Sequence, residues 1–410
     1  MESLSRSTSI SRKATHALSA YMHSAFFLTG VGVLMLGPLL PLFSHRWHLP
    51  DSRVGMLLTA QFASSFSGAI LLQTDLRKNL ARGGICLAVG YTGLALSACS
   101  TSGFLFGLIS LLVGGFGIGQ LVNSISLISA RQTAPHRGAA LMSLNLIWSA
   151  GALLTPLLIG IARGRLSLQT MLLFFSSAAV LLMLTQWSLT SALSQASLSA
   201  KDLTQKSEEP LQGNARHLLY FATLFFLYGA LENSVTGWIA TFAIRYAHTS
   251  VSVGAYSTTM LWVGITAGRT LALLLLRRLS ERSLQRAGVI ATIIAAVLLH
   301  AVHSVGLLLL LATLLGASLA PFIPVTSSLF LGEVRSTPRQ AGSVMATAAL
   351  GGAVLPLLIG IVSQHYGSLQ FALTLPPAVG VVLFCLCLFP PPAALASQQT
   401  VSPHELEAAP

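Results

Sequence analysis

The polar links in this chain are short, and the stretches between them stay apolar for about twenty residues at a time. A helix of about 20 mostly apolar residues is what crosses the hydrocarbon core of a bilayer. This one pattern therefore restricts the fold before any motif is considered. Twelve such runs are read, at 18–43, 54–73, 83–100, 103–129, 139–161, 168–189, 217–243, 252–276, 287–304, 305–331, 341–363 and 369–390. Only 8% of the 410 residues are charged, against about 25% in a soluble domain, and 53% are hydrophobic. A water-soluble core cannot hide that much apolar surface, so the lipid bilayer is its solvent. A soluble enzyme, a nucleic-acid partner and a secreted disulfide scaffold are excluded. The expected fold is all-α integral membrane, with twelve transmembrane helices.

The link at 190–216 is the exception in length. It holds Lys201, Asp202, Lys206, Glu208, Glu209 and Pro210 and has too little apolar content to fold alone. It divides the chain into an N-terminal six-helix bundle (1–189), a cytoplasmic linker (190–216) and a C-terminal six-helix bundle with a short tail (217–410). Of the 23 Lys and Arg residues, 17 fall on the side of the two termini. Arg46, Arg53, Arg163, Arg165 and Arg245 fall on the other, and Arg269 lies inside a span. The positive-inside rule then predicts both termini in the cytoplasm, and a bacterial inner membrane is the expected location. The first apolar run is too long for a signal-peptide core and is read as a retained span. Cys86, Cys99, Cys385 and Cys387 lie in apolar runs without metal-ligand spacing, so they are read as small hydrophobes. No cofactor and no metal are expected.

The halves repeat. Pro156-Leu-Leu-Ile-Gly160-Ile recurs as Pro356-Leu-Leu-Ile-Gly360-Ile. Gly68 precedes Arg77-Lys78 by the same spacing as Gly268 precedes Arg277-Arg278. Repeated six-span halves are the architecture of secondary transporters, whose site lies near the bilayer midplane between the repeats.

Glu232 is the one acid deep within a span. A centred acid costs about 2.5–3.5 kcal/mol on insertion scales and marks a functional site by default. It is a candidate to bind and release a proton. The alternative is a Glu that caps a broken helix or bonds a neighbouring span. Tyr228, Glu232 and Thr236 are spaced by four and share a helix face. Aligning Gly30 with Gly229 puts Val33 opposite Glu232, so the repeat itself does not require the acid. The Arg269 head could snorkel toward the inner surface, pair with Glu232 or pair with an inner-loop acid such as Glu333, and the residue is read as a gating residue, with substrate contact as the alternative. Gln120 and Asn123 in span 4, and Asn145 and Trp148 in span 5, could bond and stack on a hydroxylated ring. Amides also glue helices together. Trp238 and Trp262 could flank a ligand, although Trp238 lies close enough to the span's edge for an aromatic belt. Pro321 and Pro324 interrupt the backbone ladder of span 10 and suggest a hinge.

Several of these pieces resemble the major facilitator superfamily. Gly68…Asp75…Arg77-Lys78 resembles its loop motif between spans 2 and 3, a gating element, without the usual glycines around the Asp. Gly151-Ala-Leu-Leu-Thr-Pro156 resembles its bend motif. Tyr228-Gly-Ala-Leu-Glu232 with Trp238, Trp262…Gly268-Arg269, Gly316…Pro321…Pro324 and Leu144-Asn145 are similar to the fucose permease-like group. That resemblance implies proton-coupled sugar uptake by alternating access. Such carriers commonly place acids in spans 1 and 4. Here span 1 has none, and span 4 offers Gln120 and Asn123. The expected protein is a monomeric, non-enzymatic carrier of a small neutral solute, with protons as coupling ion. An efflux pump for amphiphilic compounds and a non-transporting receptor are the alternatives.

Overall fold

The computed structural model describes residues 2–73, 75–132, 137–188, 215–334 and 336–391. The linker at 190–214 and the tail from 392 lie outside the described residues. Each apolar run becomes a helix because, in lipid, every backbone N–H and C=O must find its partner within its own segment. The first half holds α1 (Glu2–Trp47), α2 (Asp51–Ile70), α3 (Leu76–Ser97), α4 (Phe104–Gln132), α5 (Arg137–Ala162) and α6 (Leu168–Ser188). The second holds α7 (Ala215–Tyr246), α8 (Val251–Leu275), α9 (Glu281–Leu298), α10 (Val305–Leu319), α11 (Phe322–Glu333), α12 (Pro338–Tyr366), α13 (Leu369–Ala372) and α14 (Leu375–Leu388). Helices α10 and α11 together make the tenth crossing, and α13 and α14 the twelfth.

The chain thus adopts the expected all-α fold of twelve crossings in two six-helix bundles. Among the described residues, eleven crossings are long and apolar enough by composition. The remaining one, α2, carries Gln61 and Ser64, both buried. It packs between α4 of its own half and α12 of the other, so much of its polar face meets protein rather than lipid.

Two edges depart from the sequence reading. Helix α3 begins at Leu76 rather than near residue 83, because Asp75 caps it: its Oδ1 accepts from the Arg77 N–H at 3.0 Å. The cap extends the helix through the charged Arg77, Lys78 and Arg82. The tenth crossing is broken at Ala320–Pro321. Pro321 supplies no N–H to continue α10. Pro324 instead sits in the first turn of α11, where its missing donor has no intrahelical partner to lose.

The repeat is visible in packing. Gly30 of α1 leaves no room for a Cβ against the Trp148 carbonyl of α5, and Gly151 leaves none against that of Phe27. In the second half Gly229 stands in the same way against Ala348, and Gly351 against Phe226. The α2–α4 pair Gly68–Phe116 recurs in α8–α10 as Gly268–Ala317. Small residues let these backbones approach. Residue numbers therefore correspond by 199 between α1 and α7, and by 200 between α2 and α8 and between α5 and α12.

Successive crossings reverse direction. The termini and the even-numbered links share one end of the bundle, the termini end. The odd-numbered links share the far end. The halves meet along three seams: α2 with α12, α5 with α8, and α1 with α7. At the far end these seams are tight. Gly55 abuts Pro356, the Thr59 hydroxyl donates to the Ala353 carbonyl at 2.6 Å, and Gly160 lies against the Tyr256 ring. Helices α1 and α7 cross where Gly37 meets Thr236 and Gly237.

Candidate functional site

Glu232 lies fourteen residues before the end of α7, about 21 Å at 1.5 Å per residue, which is near mid-crossing. Tyr228, one turn away, and Arg269 of α8 are the groups that act on its carboxyl. Arg269 does not reach for Glu333, which pairs with Arg282 at 2.6 Å. Its Nη1 donates instead to the Ser149 hydroxyl of α5 at 2.7 Å, across the seam between the halves. Beside that bond Trp148 of α5 and Trp262 of α8 meet edge to face, with ring centroids 5.4 Å apart. A cation, its hydroxyl partner and an aromatic pair thus stand together where the two bundles touch, and the field of that cation reaches Glu232 on α7.

Tyr228 ties this group to the broken crossing. Its ring stacks on Phe322 at 4.8 Å and 4°, and its hydroxyl donates to the Leu319 carbonyl at 3.1 Å, at the end of α10. Four buried hydroxyl or indole donors on α7 and α8 have no protein partner: Thr236 Oγ1, Thr241 Oγ1, Thr258 Oγ1 and Trp262 Nε1. An indole N–H can only donate, and buried polar groups are nearly always satisfied. These atoms fit a ligand or water that offers acceptors.

The other sequence candidates lie elsewhere. Gln120 is fully buried, with its amide spent inside the first half. It donates to the Gly68 and Leu71 carbonyls and accepts from Arg82 Nη2 at 2.9 Å, clamping the α2–α3 link onto α4. Asn123 donates to Gly119 of its own helix at 3.1 Å, while its Oδ1 faces Gly342 of α12 toward the termini end. Asn145 is exposed on α5, one turn before Trp148. Trp238 is fully buried, and its indole donates to the Pro356 carbonyl at 3.1 Å; it braces α7 on α12 rather than lining a belt. In the α2–α3 link Asp75 is a helix cap and the backbone of Arg77 is its donor. Arg82 makes the longer reach there, to Leu71 and Gln120 and over the Phe116 ring at 5.2 Å.

Two features were missed from sequence. One is Ser149, one of three hydroxyl residues in the apolar run at 139–161. The other is a cluster at the far end. Asp51, the first residue of α2, takes both guanidinium nitrogens of Arg245 from α7, at 2.6 and 2.7 Å, and the Ser363 hydroxyl of α12 at 2.5 Å. Asp51 stands ahead of the apolar run at 54–73. Burial disfavours its charge, but the hydrogen bonds from Arg245 and Ser363 and the guanidinium charge outweigh it and hold the carboxyl below the ordinary carboxylate range. The available signal was the charge count: with five cations on the sparsely charged side, Arg245 needed a reason to be there.

The repeat separates scaffold from chemistry. The positions equivalent to Glu232, Arg269 and Trp262 are Val33, Ala69 and Phe62, and those equivalent to Trp148 and Ser149 are Ala348 and Ala349. None of the five polar or indole side chains is required by the packing that both halves share.

Fold and site together define a membrane carrier, two equivalent bundles closing on a polar seam. The chain belongs to the Major Facilitator Superfamily, whose sequence profile matches residues 22–330. It is a multi-pass membrane transporter and not an enzyme. Solved structures share its fold. The xylose transporter XylE from E. coli, in a partially occluded inward-open conformation, superposes with a TM-score of 0.74 at 13% identity, over 92% of this chain and 98% of that one. The nucleoside transporter NupG gives 0.69 at 15% identity, over 92% and 98%. FucP in the outward conformation gives 0.56 at 17%, over 90% and 98%. No curated protein matches the sequence.

Proposed function

We propose that the protein is a proton-coupled symporter for a small neutral polyhydroxylated solute, a sugar in the first instance, acting as a monomer in a bacterial inner membrane with both termini in the cytoplasm. The observation that carries the reading is the Glu232–Arg269 group at the seam. In this reading cargo binds beside the mid-span acid, next to the seam that Arg269 bridges to Ser149. The unpartnered Trp262, Thr236 and Thr258 donors and the Trp148–Trp262 pair suit a ring with hydroxyl acceptors and apolar faces. That XylE carries xylose and NupG a nucleoside supports a polyhydroxylated cargo. In this orientation the tight far-end seams face outward.

Glu232 takes its proton from the outer side, cargo binds, the bundles rock and the proton leaves inward. One proton moving down 100 mV supplies about 2.3 kcal/mol, enough for about fiftyfold accumulation. The test is uptake of labelled monosaccharides into proteoliposomes with and without an inward proton gradient. Wild type is expected to accumulate one of them, and Glu232→Gln to equilibrate it without accumulation while retaining exchange. Full gradient-driven accumulation by Glu232→Gln would refute the coupling role.

A further inference from the structure

The Asp51 cluster holds an ion pair that joins the two halves. Its acid comes from α2 in the first half, and its partners, Arg245 and Ser363, come from α7 and α12 in the second. The geometry is a two-pronged fork, the arrangement that makes Arg–carboxylate bonds strong and directional. The Asp51 side chain is only 11% exposed. The α2–α12 seam runs inward from it: Gly360 seats the Asp51 backbone carbonyl, then Gly55 meets Pro356, and then Thr59 donates to Ala353.

The mirror seam, α5 with α8, is built differently. Val251 begins α8 where Asp51 begins α2, and Arg163 stands where Ser363 stands. The Arg163 Nε is buried without a partner, and the contact that closes this seam is Gly160 on the Tyr256 ring. A bond needed merely to hold the shared scaffold would recur in both seams. This one occurs once, and it spans the contact that must part for the far end to open.

We propose that Asp51, with Arg245 and Ser363, is the latch of the far-end gate, a set of positioning residues that must release in each cycle before cargo can enter from that end. The latch rests on the alternating-access part of the reading above and not on the cargo or the coupling ion. Its test therefore needs neither. Nitroxide labels at Thr101 and His303, both exposed far-end positions in opposite halves, report the far-end separation in purified protein with the four native cysteines replaced. Asp51→Asn is expected to raise the population with a widened far end at least tenfold. The swap Asp51→Arg with Arg245→Asp is expected to return it toward wild type, and Ser363→Ala to give a smaller opening in a variant that leaves the ion pair intact. An unchanged distance distribution in Asp51→Asn, or a swap that opens as far as the single variant does, would overturn the latch. Failure of sugar uptake with a latch that behaves as described would overturn the cargo reading alone.

Discussion

Removing the Ser149 hydroxyl should loosen the seam between the halves at mid-membrane. Ser149 is buried, at 6% exposure, and it accepts from Arg269 Nη1 at 2.7 Å. A hydrogen bond to a charged group contributes about 1.5–3 kcal/mol. If the bond exists only while α5 and α8 are together, its whole contribution appears in the equilibrium between closed and open seam. The shift for Ser149→Ala is then about ten- to 150-fold toward separation, at the lower end if water takes the freed guanidinium donor. The assay is the Thr101–His303 distance distribution without cargo. Two controls fix the interpretation. Ser149→Thr keeps a hydroxyl and should stay near wild type. Ser257→Ala removes a buried α8 hydroxyl that bonds its own helix, to Gly254 at 2.6 Å, and should leave the distribution unmoved. A shift below twofold in Ser149→Ala, or one matched by Ser257→Ala, would show that the Arg269–Ser149 bond does not hold the halves together.

Three further outcomes follow from the same contacts. Gly351→Val forces a side chain against the Phe226 carbonyl, and overpacking of this kind costs about 1–3 kcal/mol; Gly332→Ala, with open space around it, should stay within about 1 kcal/mol, and thermal melts in detergent compare them. Trp238→Phe loses the bond to Pro356 and should lower the melting temperature by the equivalent of about 0.5–1.5 kcal/mol while leaving exchange transport in place. Because the Asp51 carboxyl is held below the ordinary carboxylate range, the Arg245 and Ser363 bonds are fully present above the unfolded value, about 3.9, and are lost only as pH falls through the lower folded value. Far-end distance measurements on wild type and Asp51→Asn should therefore run parallel between pH 8 and pH 5; convergence within that window would contradict the assignment.

The crossings were legible because lipid enforces them: an apolar run of sufficient length has no alternative but helix. The repeat was legible because its packing uses glycines that sequence displays, and aligning Gly30 with Gly229 recovered the correspondence that the Trp148 and Ala348 carbonyls show in space. The acid was legible for an energetic reason, since a mid-span charge is too costly to leave unexplained. Partners were not. An amide at mid-span looks the same whether it faces cargo or a neighbouring helix. Gln120 and Trp238 are spent on the Gly68 and Pro356 carbonyls, a distinction that depends on side-chain direction and on where Pro356 bends its helix. Asp51 escaped because an acid at the start of a span is ordinary as a helix N-terminal charge. Only the fold brings it to Arg245, 194 residues away.

The charged and indole side chains follow a pattern that the alternating-access cycle explains. The packing glycines recur because both bundles must rock on equivalent bearings. The acid, the cation and the indoles at mid-membrane do not recur. A second Glu at position 33, opposite Glu232, would add another mid-span acid at about 2.5–3.5 kcal/mol and place two like charges across one seam, so Val33 is the better neighbour. Ala69 stands opposite Arg269 and Val251 opposite Asp51, so neither of these charges is doubled at its equivalent site, and each bonds across to the other half. The Arg269–Ser149 bond and the Asp51–Arg245 pair both cross between halves, one at mid-membrane on the α5–α8 seam and one at the far end on the α2–α12 seam. Rocking the halves apart at the far end stretches both seams. On the proposed cycle, these two cross-half bonds, lying on different seams of a repeated scaffold, would set the order of release.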